Sequence, residues 1–491
     1  MTQCKFISEI GDEPCEENAL SDSPKGLCIF HELLENKDIN KCMKGFYEKI
    51  SSGETNFEGY ILKDVDFSQA GITQMGDEES EQLWFTNVQF HGGFSASGMK
   101  WKSPVSFQGA SFHGDADFKD AIFANEVSFN SVTFFGKTLF SFACFSQDAR
   151  FSKTIFCKPS EFAHVSFRGP VFFDGAMFKR IANFTGALFE KGGSFSHVKI
   201  DHGIFENTDL KDVTFDDVQI ANCKWYGAKL YDVNLSWVNW RTSWKSPWRK
   251  YILREDAEAS KADTICQECA SLVVLNKARQ CDTCGKLFVE RNNDFNCPKC
   301  KTMNTASSKK CINTNCDAEF STKVNNNKYP DNSYRATLFR KAEDVYRTMK
   351  LTLMVRGDYR TAGDVYFNEM IMRRKKNYYE RNLGEWLISH VYSKLCGYGE
   401  RAGRVIVASS VVVFFLAFLY FFNQALVKLA MPSHSVDFFE SLYFSFATFT
   451  IAGTKDYTIN QTFQLVTTVE TILGGFMIAM FVLVFGRKML R

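Results

Sequence analysis

Residues 438–456 read FFESLYFSFATFTIAGTKD, an aromatic and hydroxyl-rich stretch between two long apolar runs. Residues 405–422 form the first run and carry no charge, and residues 463–486 form the second, which contains Glu470. Each run is long enough to cross a hydrocarbon core of about 30 Å as a helix. The insert is too apolar for an exposed loop and too short to span. It predicts a half-helix that enters the membrane and returns as extended backbone, which at that depth must be buried in protein or line water.

This arrangement resembles the pore module of two-helix potassium-type channels over residues 405–491. The resemblance rests on these residues: Ser441-Leu442-Tyr443-Phe444-Ser445, Thr448-x-Thr450, Gly453 and Asp456. It implies an outer helix, a pore helix, a filter strand and an inner helix, with four subunits around one pore and backbone carbonyls replacing the hydration shell of the ion. The candidate pore residues are Thr448, Thr450, Ile451, Ala452, Gly453, Thr454, Lys455 and Asp456.

The filter departs from the pattern of that family. Where the family has Thr-Val-Gly-Tyr-Gly-Asp, this chain has Ile451-Ala452-Gly453-Thr454-Lys455-Asp456. A glycine tolerates positive φ and a lysine does not, so the resemblance implies the architecture but not potassium selectivity. Four copies of Lys455 would repel cations unless each pairs with Asp456. The alternative is a plain two-helix anchor with a hydrophobic re-entrant loop.

Three residues of the second run are candidate lining or gating residues. Glu470 is costly in lipid and is expected to face the pore or to pair with a partner. If it faces the pore, Glu470→Gln should lower cation conductance. Gly474 and Gly475 predict either a bend in the inner helix or close helix packing.

The basic residues predict the orientation. They precede the first run and follow the second, with only Lys428 and Lys455 between. The positive-inside rule then places both termini in the cytoplasm of a multi-pass protein of the cell membrane. The N-terminus has no apolar segment after a basic patch, so we expect no signal peptide. Sixteen cysteines in a reducing compartment favour metal binding over disulfides.

A short repeat occupies the middle of the chain. Large apolar residues recur from residue 107 to 195 in steps that alternate between five and six, and from 195 to 240 in steps of five, with a small or β-branched residue two positions earlier in most cases. This period fits neither a helix nor a simple strand and predicts a solenoid. The extra residue predicts a bulge at alternate corners.

The repeat resembles the pentapeptide-repeat family, which implies a right-handed quadrilateral β-helix over residues 57–245 of about six and a half coils. Between residues 57 and 240, 22 acidic residues face 16 basic ones. This acidic excess is small for a protein that mimics DNA, so we expect the β-helix to serve as a spacer or docking rod. Residues 244–250 are expected to close its end, or to contact lipid headgroups.

Residues 1–56 contain a candidate metal site. Cys28-x-x-His31 has the spacing of half a zinc site, and Cys4 and Cys15 would complete a closed Cys₃His set. The alternative is a group of buried free thiols with a surface histidine.

Residues 262–322 contain eight cysteines at knuckle spacing, which predict two structural Cys₄ zinc sites. The ligands are Cys266, Cys269, Cys281, Cys284, Cys297, Cys300, Cys311 and Cys316. Thiolate ligands in a tetrahedral shell suit zinc best, with an iron–sulfur cluster as the minor alternative. The segment resembles a double zinc ribbon. The first two cysteine pairs in the chain could bind one ion and the last two pairs the other, or the two sites could form a cross-brace. Such ribbons bind protein or nucleic acid; with a net charge of +2, nucleic acid is not favoured.

Residues 333–402 are expected to form two antiparallel helices and an interfacial helix before the pore domain, residues 403–491. The chain as a whole predicts a homotetrameric ion channel in contact with lipid, gated through cytosolic domains by a protein or ligand. The alternative is a membrane-anchored scaffold for protein or nucleic acid. No catalytic motif is present, so we do not expect an enzyme.

Overall fold

A computed structural model describes residues 2–9, 13–77, 81–220, 223–230, 232–235, 238, 253, 255–256 and 259, six short strands between residues 264 and 322, and residues 332–430, 435–453 and 455–489. The chain divides into two compact units, Met1–Asp358 and Tyr359–Arg491. The division falls inside the predicted helical segment 333–402.

Seven α-helices are described. They are α1 (Ile39–Ser51), α2 (Asn332–Val355), α3 (Tyr359–Tyr379), α4 (Leu383–Cys396), α5 (Ala402–Phe422), α6 (Phe438–Phe449) and α7 (Gln464–Met489). Short 3-10 helices cover Leu34–Asn36 and Gln461–Phe463.

Most strands of the first unit have two residues. In chain order they are β1 (Ile61–Asp66), β2 (Gln74–Met75), β3 (Leu83–Trp84), β4 (Gln89–Ser95), β5 (Lys100–Trp101), β6 (Val105–Ser106), β7 (Ser111–Phe112), β8 (Ala116–Asp117), β9 (Ile122–Phe123), β10 (Val127–Ser128), β11 (Thr133–Phe134), β12 (Thr138–Leu139), β13 (Cys144–Phe145), β14 (Ala149–Arg150), β15 (Ile155–Phe156), β16 (Ser160–Glu161), β17 (Ser166–Phe167), β18 (Val171–Phe172), β19 (Met177–Asn183), β20 (Leu188–Phe189), β21 (Gly193–Ser194), β22 (Lys199–Ile204), β23 (Val213–Thr214) and β24 (Cys223–Lys224).

These strands form a β-solenoid of about seven coils. All of them pair in parallel, in sheets of 11, 7 and 6 strands, and the seven-stranded sheet contributes one strand per coil. The 11-stranded sheet covers two adjacent faces because its longer strands, such as β4 and β19, continue around the corner and pair on both sides. The prediction of a solenoid from the repeat is confirmed.

The width of a coil follows the spacing of the repeat. Val127 pairs with Ala149, 22 positions later, whereas Gly203 pairs with Cys223, 20 positions later. The wide coils therefore have two corners with an extra residue, and the narrow coils have none. In the wide coils a left-handed residue recurs every 11 positions, from Asn87 to His197.

Stacked phenylalanine rings fill the interior. The rings of Phe129, Phe151 and Phe173 stack on the next coil at centroid distances of 5.0 and 4.8 Å, which is the spacing of paired strands. Phe129 also meets Phe118 edge to face at 5.5 Å. Offset stacks and edge contacts both stabilise aromatic pairs, so each ring contributes to packing along and across the coils.

Different elements cover the two ends. At the N-terminal end, Phe46 of α1 packs edge to face on Phe57 at 5.5 Å. At the other end, the hydroxyl of Tyr346 in α2 donates to Asp256, and the Thr352 hydroxyl donates to the Leu230 carbonyl of the last coil. Helix α2 therefore belongs to the cap of the solenoid; the segment predicted to close that end, residues 244–250, lies outside the described residues.

Six strands are described between α2 and the solenoid: β25 (Thr264–Ile265), β26 (Leu272–Val273), β27 (Leu287–Val289), β28 (Phe295–Asn296), β29 (Met303–Asn304) and β30 (Phe320–Thr322). β25 pairs with β26 and β28 with β29, both antiparallel, and β27 pairs with β30 in parallel.

The second unit is helical. Helix α6 packs on both α5 and α7. The segments that flank α6 include β31 (Leu426–Lys428) and β32 (Tyr457–Ile459), which pair antiparallel. The chain between them therefore leaves and returns at one place, as a re-entrant segment must.

Candidate pore and metal centre

Four side chains near the N-terminus converge as the sequence predicted. The ligand atoms of Cys4, Cys15, Cys28 and His31 all lie within 4.8 Å of one another. The Cys15 and Cys28 sulfurs are 3.9 Å apart, and His31 Nδ1 is 3.1 Å from the Cys28 sulfur and 3.7 Å from that of Cys4. Sulfurs about 2.3 Å from a tetrahedral ion would be separated by similar distances. The four residues could hold a metal ion.

The ring of His31 is fixed from two sides. Its Nε2 lies 2.9 Å from the Glu58 carbonyl, to which a protonated Nε2 donates, leaving Nδ1 free for a metal. The ring stacks on Phe6 at 3.8 Å. Since Glu58 is where the chain enters the solenoid, the cluster ties residues 2–31 to the first coil.

The thiols need a cation to ionise together. A hydrogen bond with Cys15, followed by burial, raises the pKa of Cys28 to about 12, and the same hydrogen bond lowers the pKa of Cys15. Burial also raises the pKa of Cys4. A bound divalent ion would supply the charge that all three thiolates require.

The eight ribbon cysteines lie outside the described residues. The strands beside them are consistent with the prediction in one respect: in the chain, Cys266-x-x-Cys269 falls between the paired strands β25 and β26, and Cys297-x-x-Cys300 falls between β28 and β29.

Helices α5 and α7 are long and apolar enough to cross a membrane, by length and composition. Helix α6 lies between them, and its N-terminus is closed by a capping box of Asp437 and Glu440. Lys428 Nζ contacts Glu440 Oε1 at 2.7 Å, and the Tyr457 hydroxyl donates to the same oxygen at 3.3 Å. The start of α6 is thus attached to both strands of the β31–β32 pair.

The candidate filter begins where α6 ends. Ile451 has φ of 59° and is 61% exposed, and Gly453 has φ of 68°. The amides of Ala452 and Gly453 both donate to the Ala447 carbonyl, and the Thr450 hydroxyl donates to the Phe446 carbonyl at 2.8 Å. Positive φ is unfavourable for a β-branched residue, so the turn at Ile451 is held by the α6 carbonyls.

The outer residues of this segment are open to solvent in the single chain. Lys455 and Asp456 are exposed, and the described part of the chain contains no ion pair between them. Thr448 is buried near the end of α6, and Thr454 lies outside the described residues.

Glu470 and Gly474 hold α7 against α6. The Glu470 carboxyl is buried and accepts a hydrogen bond from the Tyr420 hydroxyl on α5 at 2.7 Å. Its other oxygen contacts the Ser445 hydroxyl on α6. A Cβ added at Gly474 would lie 2.0 Å from the Phe449 carbonyl oxygen. Helix α7 continues unbroken through Gly474 and Gly475, so in this structure Gly474 serves close packing rather than a bend.

The start of α5 and the end of α7 are linked to α3 by charged and aromatic contacts. Arg487 at the end of α7 lies 3.6 Å from Glu400 and 5.5 Å from the Tyr366 ring of α3. Arg401, which precedes α5, pairs with Asp364 of α3 at 2.6 Å. Sequence reasoning missed these contacts because the residues are far apart in the chain and follow no motif.

Two known families match the chain. Residues 107–155 match the family described as pentapeptide repeats (9 copies), and residues 405–491 match the family described as ion channel. Neither is an enzyme family. No curated protein matches.

Solved structures similar to the chain include HetL, a pentapeptide repeat protein involved in heterocyst differentiation regulation from the cyanobacterium Nostoc sp. strain PCC 7120. It is 10% identical, and the match covers 39% of this chain and 94% of HetL with a TM-score of 0.19. Full-length QnrB1, a plasmid-mediated fluoroquinolone resistance protein, is 15% identical, with 37% of this chain and 92% of QnrB1 covered and a TM-score of 0.15. The fold assignment rests on the strand pairing described above and not on these scores. The chain therefore joins a pentapeptide-repeat β-solenoid to an ion-channel domain whose two apolar helices are each long enough to span a membrane.

Proposed function

We propose that this chain is one subunit of a homotetrameric cation channel of the cell membrane. The observation that carries the proposal is the re-entrant helix α6, which is held between two membrane-length helices and leads into the exposed residues 451–453 and 455–456. Backbone at that depth requires protein or water beside it. Neighbouring copies that share a central aqueous path provide both.

Two features bear on the charge of the permeant ion. The C-terminus of α6 points its helix dipole, negative at that end, toward the filter segment, which favours a cation. Lys455 acts in the opposite direction because four copies would place four positive charges at the mouth. We therefore propose cation conduction that Lys455 restrains, without assigning a preferred cation.

The apolar surface of the single subunit supports the oligomer. Phe439, Tyr443 and Phe446 of α6 are exposed, and they border a cavity of about 610 Å³ between α5, α6 and α7. A pore helix exposed on one side has room for a neighbouring subunit there. The exposed faces of α5 and α7 are then left to lipid.

Zinc is the metal proposed for the N-terminal cluster. A closed set of three cysteines and one histidine suits structural zinc. The eight cysteines between residues 266 and 316 are proposed to hold two further ions, and two of the four cysteine pairs fall in the chain between the strands of a short antiparallel pair. Three zinc ions per chain would then stabilise the cytosolic unit.

A regulatory path follows from the order of the elements. Helix α2 caps the solenoid, Arg356-Gly357-Asp358 connects it to α3, and α3 contacts both Arg487 of the inner helix and Arg401 before the outer helix. We propose that a protein or ligand bound to the cytosolic unit acts on the inner helix through α3. Both termini are then cytoplasmic.

Ion flux from liposomes tests the function. Vesicles that contain the purified chain should release trapped K⁺ or Na⁺ faster than empty vesicles, and Lys455→Gly should increase that flux because it removes the repulsion at the mouth. Lys394→Gln is the control, since Lys394 is an exposed lysine of α4, outside the candidate filter. A chain that inserts into the vesicles without flux would favour the anchored scaffold.

A further inference from the structure

Glu470 lies in a hydrogen-bonded cluster that joins the three membrane helices of the second unit. The carboxyl on α7 is fully buried. Tyr420 on α5 donates to Oε2 at 2.7 Å, and the Tyr420 oxygen is also 3.5 Å from the Thr467 hydroxyl. On the other side Oε1 contacts the Ser445 hydroxyl on α6, whose oxygen is 3.1 Å from the Val413 carbonyl of α5.

No cationic group faces this carboxyl from the packed helices. Helix α5 has no lysine or arginine after Arg404, α6 has none, and α7 has none before Arg487. The one charged side chain within α6 is Glu440, which forms an ion pair with Lys428 at the start of that helix. An unpaired carboxylate inside hydrocarbon or protein is strongly unfavourable. The surroundings of Glu470 therefore favour the neutral acid.

A count of protons leads to the same result. The Ser445 hydroxyl has one hydrogen, yet its oxygen lies within hydrogen-bonding distance of two acceptors, the Val413 carbonyl and Glu470 Oε1. A proton on Oε1 satisfies both: Glu470 donates to Ser445, and Ser445 donates to Val413.

We propose that Glu470 is a positioning residue that fixes the pore helix as a neutral carboxylic acid, in a relay from Tyr420 through Glu470 and Ser445 to the Val413 carbonyl. The inference rests on the proposed channel function, because its consequence concerns the filter. Ser445 lies one turn before Phe449, where Gly474 also touches α6. The relay and that contact together set the height and rotation of the helix end from which the filter emerges.

Substitutions at Glu470 separate this role from that of a charged pore-lining group. In Glu470→Gln, the amide nitrogen can donate to Ser445 and the amide oxygen can accept from Tyr420, so the unitary cation current should equal that of the wild type. Glu470→Leu keeps the volume but removes both hydrogen bonds, and should lower the open probability about tenfold. Ser445→Ala should act in the same direction. Ser441→Ala is the matched control, because that hydroxyl bonds within its own helix, to the Asp437 carbonyl.

An infrared measurement reads the proton without requiring conduction. The difference spectrum between wild type and Glu470→Gln at neutral pH should contain the carbonyl stretch of a protonated carboxylic acid, and Tyr420→Phe should shift that band. A carboxylate band in its place, or a Glu470→Gln current reduced as strongly as that of Glu470→Leu, would overturn the inference. A wild-type protein that shows the acid band but passes no current would instead refute the channel function and leave the proton assignment standing.

Discussion

Two glycines of α7 have opposite surroundings. Gly474 faces the Phe449 carbonyl so closely that any Cβ would meet it at 2.0 Å, whereas a Cβ at Gly486 would meet nothing within 4 Å. The same substitution at the two positions therefore isolates the effect of close packing from that of helix propensity.

We expect Gly474→Ala to destabilise the second unit by about 1–3 kcal/mol, since α6 must move away from α7, and to abolish flux. Gly486→Ala should be neutral or stabilising by up to about 1 kcal/mol, as alanine is the better helix former. Thermal unfolding in detergent measures the change in stability of each variant, and release of trapped ions from vesicles measures the change in flux. Equal behaviour of the two variants would contradict the packing role of Gly474.

The start of α6 predicts a dependence on acid. The hydrogen bond from Lys428, with that from the Asp437 backbone, holds the pKa of Glu440 below its usual range, and Glu440 in turn raises the pKa of Lys428. A carboxyl whose pKa is lowered by folding stabilises the fold above its unfolded pKa, and this contribution is lost as the pH falls through the folded pKa.

The thermal midpoint of the wild type should therefore fall more steeply than that of Glu440→Gln as the pH drops below the ordinary pKa of a glutamate. Lys428→Met removes the largest cause of the shift and should move the step toward the ordinary pH of a glutamate. Identical pH profiles for wild type and Glu440→Gln would show that the pair does not stabilise α6.

Within the solenoid, neighbouring phenylalanines differ in role. Phe140 is 0% exposed in the ring stack, while Phe142, two positions later, is 60% exposed and has φ of 63° at a corner. Phe140→Ala should cost about 3–5 kcal/mol through the cavity it leaves. Phe142→Gly should be neutral or stabilising, because glycine adopts positive φ without strain. Protection of the coil amides from hydrogen exchange measures the stability of the solenoid in each variant. Equal losses of protection in Phe140→Ala and Phe142→Gly would contradict the assignment of Phe140 to the interior and Phe142 to the surface.

The candidate metal cluster of Cys4, Cys15, Cys28 and His31 lies in the N-terminal cap of the solenoid. Cys28→Ser should lower the zinc content by one ion per chain and the thermal midpoint of the first unit, since the ion joins residues 2–31 to the first coil. Cys42→Ser is the matched control because Cys42 is buried in α1 but outside the cluster. Atomic emission on the purified proteins measures the ratio; an unchanged zinc content in Cys28→Ser would refute the site.

How much of the fold the sequence predicts depends on whether the signal is periodic. The regular spacing of the large apolar residues predicted the solenoid, because each of them points inward. The spacing becomes a uniform five after Phe195, which is where the narrower coils are found. The Cys28-x-x-His31 spacing identified two of the four residues of the candidate metal cluster. Cys4 and Cys15 were proposed because they would complete a Cys₃His set. The cap formed by α2 was not predicted, since helical periodicity reveals an apolar face but not what it packs against. The partners of Glu470 were missed for a similar reason: Tyr420 and Ser445 are 50 and 25 positions away.

For the molecule as a whole, the proposed regulatory route runs through the contacts of α3 and does not depend on the solenoid surface. The rings of the solenoid are buried, and each of its ends is covered by a cap. The chain emerges from that cap as α3, which contacts the inner helix at Arg487.

The reversal potential of current through the purified chain in a planar bilayer tests the shared pore most directly. With a gradient of KCl across the bilayer, a shared cation pore should give unitary currents that reverse near the equilibrium potential of the cation. Bilayers that contain the inserted protein but show no unitary current, or currents that reverse at the chloride potential, would contradict it.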